Sequence, residues 1–175
     1  MENLRKIIHN RRTGEQVVPS EPTDNEIEVF EESVLISEID KYGFITYANR
    51  RYVELSGFPK KTLIGAHYTI DRHPDMPEGL FHARDEIVAR KKVWRGYVKN
   101  LCRDGSFYWT LTYMQPKLDS ESDIVGYTLT RKKAYAAAIE EIEKKYAALQ
   151  GKAHIGHDFF MRGELYHGEE LATNK

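Results

Sequence analysis

The sequence predicts an α+β fold in which helices cover one face of an antiparallel sheet. Two strand-like runs at 34–36 and 44–47 flank a turn, a clear helix follows Pro77, and three further strand candidates fill 93–131. Strands joined by short turns pair antiparallel, and helices placed between two groups of strands pack on the sheet that they interrupt. With 175 residues, the chain has room for about one such domain with extensions.

The N-terminal part, residues 1–32, is predicted to be an arm with a helical start. It mixes charged residues with glycine and proline and contains only short apolar clusters. A second short helix is predicted at Asp24 to Phe30, because Thr23 and Asn25 offer N-capping groups. Its small apolar face would consist of Ile27, Val29 and Phe30.

The sheet is predicted to form from two groups of strands. The first group turns at Asp40 to Gly43 and leads into a short helix that Asn49 or a neighbour caps and Gly57 ends. In the second group the Asp104-Gly105 pair is a strong hairpin signal. The three strands of that group are predicted at 93–102, 106–117 and 123–131.

Two helices are predicted around the second group. The polar connector from Gly65 to Pro77, GAHYTIDRHPDMP, precedes a helix that runs to about Lys92, and Asp75 with Glu78 resembles a capping box at its start. The second helix occupies 133–150. Its apolar stripe, which should pack on its own domain, on a second copy or on a partner helix, consists of Tyr135, Ile139, Ile142, Tyr146 and Leu149.

Charge and composition exclude several classes of protein. Lys and Arg number 26 against 27 Asp and Glu, so no global positive field favours nucleic acid. A single cysteine, Cys102, suits a reducing compartment, and we expect a cytoplasmic protein without direct membrane insertion, because no span or signal peptide is recognisable. The sequence lacks a phosphate-binding glycine loop, an HExxH motif and a nucleophile elbow, so we expect no enzyme.

Candidate binding residues lie on the first strand of the second group and in the connector. Strand parity places Asn100 on the same face as Trp94, where its amide could pair with the edge of a heterocycle or could simply bind nearby backbone. In the connector, Arg72 and His73 could place a cation and an imidazole beside a pocket. The alternative is that Arg72 pairs with a surface carboxylate and Asp75 caps the next helix.

These segments resemble the PAS sensor family, and in particular the flavin-binding PAS domains of bacterial aerotaxis receptors. The resemblance covers about 34–132 and rests on ITYANRRYVELSGF, DRHPDMP, WRGYVKNLCRDGSFYW and GYTLTR. It implies a PAS fold with a five-stranded antiparallel sheet that encloses FAD, and a PAS domain at 33–132. The residues that it implicates in flavin binding or signalling are Asn49, Arg72, His73, Asp75, Trp94 and Asn100.

Departures from the family pattern keep a second cofactor open. The histidine after Gly65 is shifted by one position to His67, so heme b is the alternative to FAD. The axial ligand would then be His67, His73 or His82, and no other metal site is predicted.

The resemblance also implies a partner. A full receptor of this type continues into a membrane anchor and a methyl-accepting signalling domain, so this chain is expected to be the stand-alone sensor of a bipartite energy-taxis system. It would signal in trans to a membrane-bound chemotaxis-type transducer, and this partner could recruit it to the inner membrane. The helix at 133–150 would serve signalling or homodimer formation, with a tail at 151–175. A cofactor-free PAS interaction module is the remaining alternative.

Overall fold

A computed structural model describes residues 6–150 and the secondary structure of two short segments beyond them. The strands are β1 (Ile8–His9), β2 (Gln16–Val17), β3 (Leu35–Asp40), β4 (Ile45–Ala48), β5 (Trp94–Leu101), β6 (Phe107–Leu118), β7 (Ile124–Lys133), β8 (Phe159–Met161) and β9 (Glu164–Tyr166). The helices are α1 (Arg50–Ser56), α2 (Lys60–Leu63), a 3-10 helix (Tyr68–Asp71), α3 (Glu78–Ala89) and α4 (Ala136–Leu149). The rest of the tail predicted at 151–175 lies outside the described residues.

Five strands form one antiparallel sheet in the order β4-β3-β7-β6-β5. This arrangement confirms the predicted fold class and the strand pairs expected from the two hairpin regions. The central register places Arg131 of β7 between Leu35 of β3 and Thr112 of β6. The side chains of β3, β5, β6 and β7 that lie on the same face of the sheet as Arg131 surround the interior of the domain.

The helices between β4 and β5 cover this inner face. Asn49 caps α1 as predicted, because its side-chain oxygen accepts a hydrogen bond from the Tyr52 amide, and Gly57 ends the helix in a left-handed conformation at φ 75°. The fully buried side chains between these helices and the sheet are Leu35, Ile45, Tyr52, Leu63, Ile70, Leu80, Trp94 and Tyr108.

The outer face of the sheet is covered by α4. Most of the predicted stripe packs on its own domain, since Ile142 and Tyr146 are buried and the Tyr146 ring stacks on Trp109 at a centroid distance of 6.3 Å. Tyr135 is the exception, because it precedes the helix and is 57% exposed. The Tyr146 hydroxyl donates to the carbonyl of Tyr97 at 2.5 Å. Both faces of β5 are therefore buried, which sequence alternation alone did not indicate.

The predicted N-terminal helices are wrong for the described part of the arm. Its beginning forms the β1–β2 hairpin, and Asp24 to Phe30 is not helical. Instead, Ile27 donates through its amide to the Phe107 carbonyl at 2.7 Å, and Phe107 donates to the Asn25 carbonyl at 3.0 Å. We call residues 20–30 the strap. The strap lies beside the start of β6, where β7 no longer pairs with it, and this long-range pairing outweighs the local capping signals.

Within the described residues, no helix combines the length and the apolar character needed to cross a bilayer.

Candidate functional site

A cleft of about 1020 Å³ opens between the helices and the sheet. Its walls come from the N-terminal hairpin, the β3–β4 turn, the connector, α3 and the inner side of the sheet. Apolar side chains of the sheet and α3 contribute to it, among them Ile39, Phe81, Val88 and Met114. Ligand pockets span roughly 300–1,000 Å³, so this volume suits a ligand as large as a nucleotide cofactor.

Arg72 lies on the cleft wall in surroundings that favour an anion. Its guanidinium carbon is 3.9 Å from the ring centroid of Phe81 and 5.9 Å from that of Tyr68. Burial and then the neighbouring Arg84 lower the pKa of Arg72. In the part of the chain that the structure describes, no carboxylate lies within ion-pair distance of Arg72. A half-buried guanidinium of this kind is well suited to a phosphate.

His73 also lines the cleft, and it is only 3% exposed. Its Nδ1 accepts a hydrogen bond from the Asp75 amide at 3.0 Å, which places the proton of the neutral ring on Nε2. The ring packs edge-on against Phe107 with a centroid distance of 6.1 Å. The connector thus presents a guanidinium and an imidazole side by side, as its sequence suggested.

Asp75 does not cap α3, which corrects the predicted capping box. The N-cap is Pro77, which makes no side-chain hydrogen bond. The Asp75 carboxylate instead binds the Lys99 ammonium at 2.8 Å. Burial opposes ionisation of Asp75, but the hydrogen bond and charge of Lys99 outweigh it and lower the pKa. This pair ties the connector to β5, beside the cleft rather than on its wall.

Asn100 is 2% exposed and lies on the inner face of β5, as strand parity predicted. Its amide nitrogen donates to the carbonyls of Val98 at 3.1 Å and Tyr108 at 3.3 Å, and to the Thr110 hydroxyl at 3.0 Å. The amide is therefore held by nearby backbone, and Asn100 is not on the cleft wall. Its role toward a heterocycle stays a prediction.

Asn49 and Trp94 complete the predicted set. The Asn49 side chain bridges α1 to β3 by accepting from the Ile36 amide and donating to the Val34 carbonyl. Trp94 is fully buried, and its indole N–H finds no acceptor among the described residues. The buried Tyr108 hydroxyl likewise has no hydrogen-bond partner among them. Buried donors without acceptors are rare, so these two groups could serve a polar ligand or water that reaches the interior.

The three histidines proposed as heme ligands all line the cleft. His67 forms a hydrogen bond between its Nδ1 and the Thr69 hydroxyl at 2.9 Å, whereas His82 is exposed on α3. No group of three or more His, Cys, Asp or Glu side chains in the described residues is arranged to hold a metal ion. An axial heme ligand needs only one imidazole, so this finding leaves the heme alternative open.

A buried ionic cluster lies beneath the cleft. Asp71 accepts a hydrogen bond from the Tyr52 hydroxyl at 2.9 Å, and its carboxylate is 3.8 Å from the Arg131 guanidinium. Arg131 also donates to the Ser37 hydroxyl at 3.1 Å and lies 4.6 Å from the Tyr52 ring centroid. Burial alone would lower the pKa of Arg131, but Tyr52 and Asp71 raise it overall. Sequence reasoning missed this cluster because its members are far apart in the chain.

The N-terminal wall of the cleft was missed as well. Lys6, Ile8, His9 and Pro19 line the cleft, although the arm was predicted to be helical. Two short β-branched runs separated by a turn that contains Gly14 could have indicated a hairpin.

Cys102 is predicted to be almost unreactive in the folded protein. Its thiol donates to the Leu55 carbonyl at 3.4 Å, and burial, followed by Asp104, raises its pKa from 9.0 to about 12. The thiolate is the reactive species, so labelling by a disulfide reagent at pH 8 should be about 1,000-fold slower in the native protein than in urea. A Cys102→Ala, Val125→Cys variant, whose new thiol replaces an exposed side chain, is the accessible control. Native labelling of Cys102 within tenfold of that control would contradict the prediction.

Comparisons with known proteins agree with this architecture. A family model described as the PAS fold matches residues 45–131. The chain is 33% identical over 119 residues to the aerotaxis receptor of Escherichia coli (strain K12), covering 68% of this chain and 23% of the receptor. It is 25% identical over 95 residues to the nitrogen fixation regulatory protein of Klebsiella pneumoniae, covering 54% of this chain and 19% of that protein. The chain thus spans only about a fifth to a quarter of the length of these relatives.

Solved structures share the same fold at low sequence identity. The dark structure of the blue-light photoreceptor Aureochrome1 LOV matches with a TM-score of 0.58 and 17% identity, covering 65% of this chain and 85% of that one. A PAS domain of a protein from Colwellia psychrerythraea matches with a TM-score of 0.54 and 23% identity, covering 58% of this chain and 86% of that one. These matches establish the arrangement of strands and helices.

Proposed function

Because this chain belongs to the PAS family, with a sensor domain of the aerotaxis-receptor type, we propose that it is a redox or oxygen sensor that holds FAD in the cleft. The sensor is cytoplasmic and reports by protein contact to a separate membrane-bound chemotaxis transducer of the methyl-accepting type. It acts without catalysing a reaction of its own. The two curated relatives are, by name, a receptor and a regulatory protein, which supports a signalling role.

The observation that carries the proposal is the half-buried Arg72, which has no carboxylate partner in the described part of the chain and faces a cleft of nucleotide size. Arg72 would bind a cofactor phosphate, and the His73 imidazole would lie beside it on the cleft wall. Phe81 and Met114 would supply apolar walls. The residues present therefore fit a flavin nucleotide, which when bound supplies reversible electron transfer.

The chain also offers a route from the cleft to its C-terminal helix. Arg72 directly follows Asp71, whose carboxylate faces Arg131 of β7, and β7 leads into α4. A cofactor shifts a conformational equilibrium only through its different interactions with the two states. Since the connector carries both Arg72 and Asp71, a change in what Arg72 or His73 binds would alter the packing of Asp71 against β7. The surface that meets the transducer would then include α4.

The test is an absorption spectrum of the protein purified without added cofactor, followed by identification of the chromophore released on denaturation. We expect flavin bands and FAD in the supernatant. A Soret band would mean that the cofactor is heme rather than FAD. The candidates for its axial ligand would then be His67, His73 and His82. A colourless protein that takes up neither cofactor would contradict the sensor proposal and favour an interaction module.

A further inference from the structure

We infer that the N-terminal hairpin makes the cleft selective for a dinucleotide flavin over a mononucleotide flavin. This inference rests on the proposed flavin-binding function and adds to it the element that selects the ligand. The hairpin, β1 with β2, lies outside the residues 45–131 that match the family model, yet it forms one wall of the cleft. Selection would therefore come from a part of this chain that the matched domain does not contain.

The hairpin is fixed to the domain by Asn10, which is 1% exposed. The Asn10 amide nitrogen donates to the carbonyls of Thr62 at 3.0 Å and Ile64 at 2.9 Å, at the end of α2. Its side-chain oxygen accepts hydrogen bonds from the amides of Arg12 at 2.9 Å and Thr13 at 3.0 Å. One buried side chain thus holds the hairpin turn together and attaches it to the end of α2, so the wall is built in advance of any ligand.

Two further contacts fix the same wall. The Arg11 amide donates to the Gly65 carbonyl at 3.0 Å, and the Arg11 guanidinium lies 4.2 Å from the ring centroid of Phe44 and pairs with Asp40. Gly65 has a φ of +94°, and a Cβ atom there would lie 2.5 Å from the Asn10 side-chain oxygen. Only glycine fits beneath the hairpin at this position.

This wall brings positive charge to the cleft. Lys6 lies just before β1 and Lys41 lies in the β3–β4 turn, and both line the cleft together with Arg72. Among the described residues, none of these three cations has an ion-pair partner. Burial and then Arg72 and Lys6 lower the pKa of His67, which agrees with a surplus of positive charge at this end.

A dinucleotide differs from a mononucleotide by a second phosphate and a purine. Arg72, on the connector, can bind the phosphate that both ligands share. Lys6 and Lys41 then remain for the second phosphate, and Ile7 and Ile8 of the hairpin wall offer apolar surface to the purine. The volume of about 1020 Å³ lies at the upper end of the range for small-molecule pockets, which fits the larger ligand.

The experiment compares FAD and FMN on the full chain after removal of any bound cofactor, with flavin fluorescence as the measure of affinity. We expect the wild type to bind FAD more tightly than FMN, and the difference to shrink as salt rises. The double variant Lys6→Ala, Lys41→Ala should lose about tenfold in FAD affinity and less than twofold in FMN affinity, because both lysines are assigned to the second phosphate. Both are surface residues outside the core, so the fold should be unaffected. The control variant Lys60→Ala, Lys61→Ala, with exposed lysines on α2 outside the cleft, should change neither.

The variant Asn10→Ala is a second test, because it weakens the attachment of the hairpin to the domain without touching the cleft cations. We expect it to lower the ratio of FAD to FMN affinity, with circular dichroism to confirm that the sheet is intact. An unchanged ratio in the lysine variant, or equal affinities in the wild type, would overturn the inference and leave flavin binding in place. If the wild type bound neither flavin, the proposed function would fall together with the inference.

Discussion

Replacing Arg131 by methionine is expected to lower the free energy of unfolding by about 3–5 kcal/mol. Arg131 is 3% exposed, and it faces the Asp71 carboxylate and the Ser37 hydroxyl in the interior. Without its partner, Asp71 becomes an uncompensated buried charge. Total stabilities of domains are about 5–15 kcal/mol, so the loss would be a large part of the whole. Urea titration at pH 7 measures it.

Two comparisons separate this effect from a simple loss of packing. The double variant Asp71→Asn, Arg131→Met should recover part of the stability. Arg50→Met, which breaks an exposed pair with Glu54, should cost less than about 0.5 kcal/mol. A double variant no more stable than Arg131→Met would argue against an ionic cause.

The second large effect concerns cofactor retention. Arg72→Met should reduce flavin affinity by about 10- to 100-fold, since a charge-assisted hydrogen bond contributes roughly 1.5–3 kcal/mol. Methionine keeps an apolar side chain against Phe81 while removing the charge. FAD and FMN should lose affinity equally, because Arg72 is assigned to the phosphate that they share. Fluorescence titration measures both ligands.

Arg84→Met is the matched control for this prediction. The Arg84 guanidinium packs on the same two rings, 4.8 Å from the centroid of Phe81 and 5.0 Å from that of Tyr68, but it pairs with Asp85 and does not line the cleft. We expect flavin affinity within about threefold of the wild type. Equal losses in both variants would mean that the rings, rather than the Arg72 charge, account for the binding.

Local sequence signals predicted the elements whose determinants are local. Asn49 and Gly57 delimit α1 as expected, and the Asp-Gly pair joins β5 to β6, because caps and tight turns depend on a few neighbouring residues. The predicted helix at Asp24 to Phe30 was wrong because backbone groups of that segment bind Phe107, far along the chain. Asp75 likewise pairs with Lys99 of β5 rather than with the start of α3.

In the candidate site, too, local sequence signals predicted some residues, whereas long-range contacts determine the others. Arg72 and His73 were identified from one continuous motif, and the structure places both on the cleft wall. Asp75, Asn100, Trp94 and Asn49 lie outside that wall, and their part in cofactor binding stays a prediction. The hairpin wall and the Asp71 cluster need contacts between remote segments, and no single window of the sequence reports such contacts.

The strap has a consequence for anyone who shortens this chain. A protein trimmed to begin at residue 33 would lose the partner of Phe107, whose amide and carbonyl now bind Asn25 and Ile27. The start of β6 would then become an open strand edge next to Trp109. The Ile27 side chain, which lines a small pocket together with Trp109, would be lost as well. Unpaired edges of this kind recruit other chains and promote aggregation. The strap, which precedes the family-matched region, therefore protects the sheet against self-association.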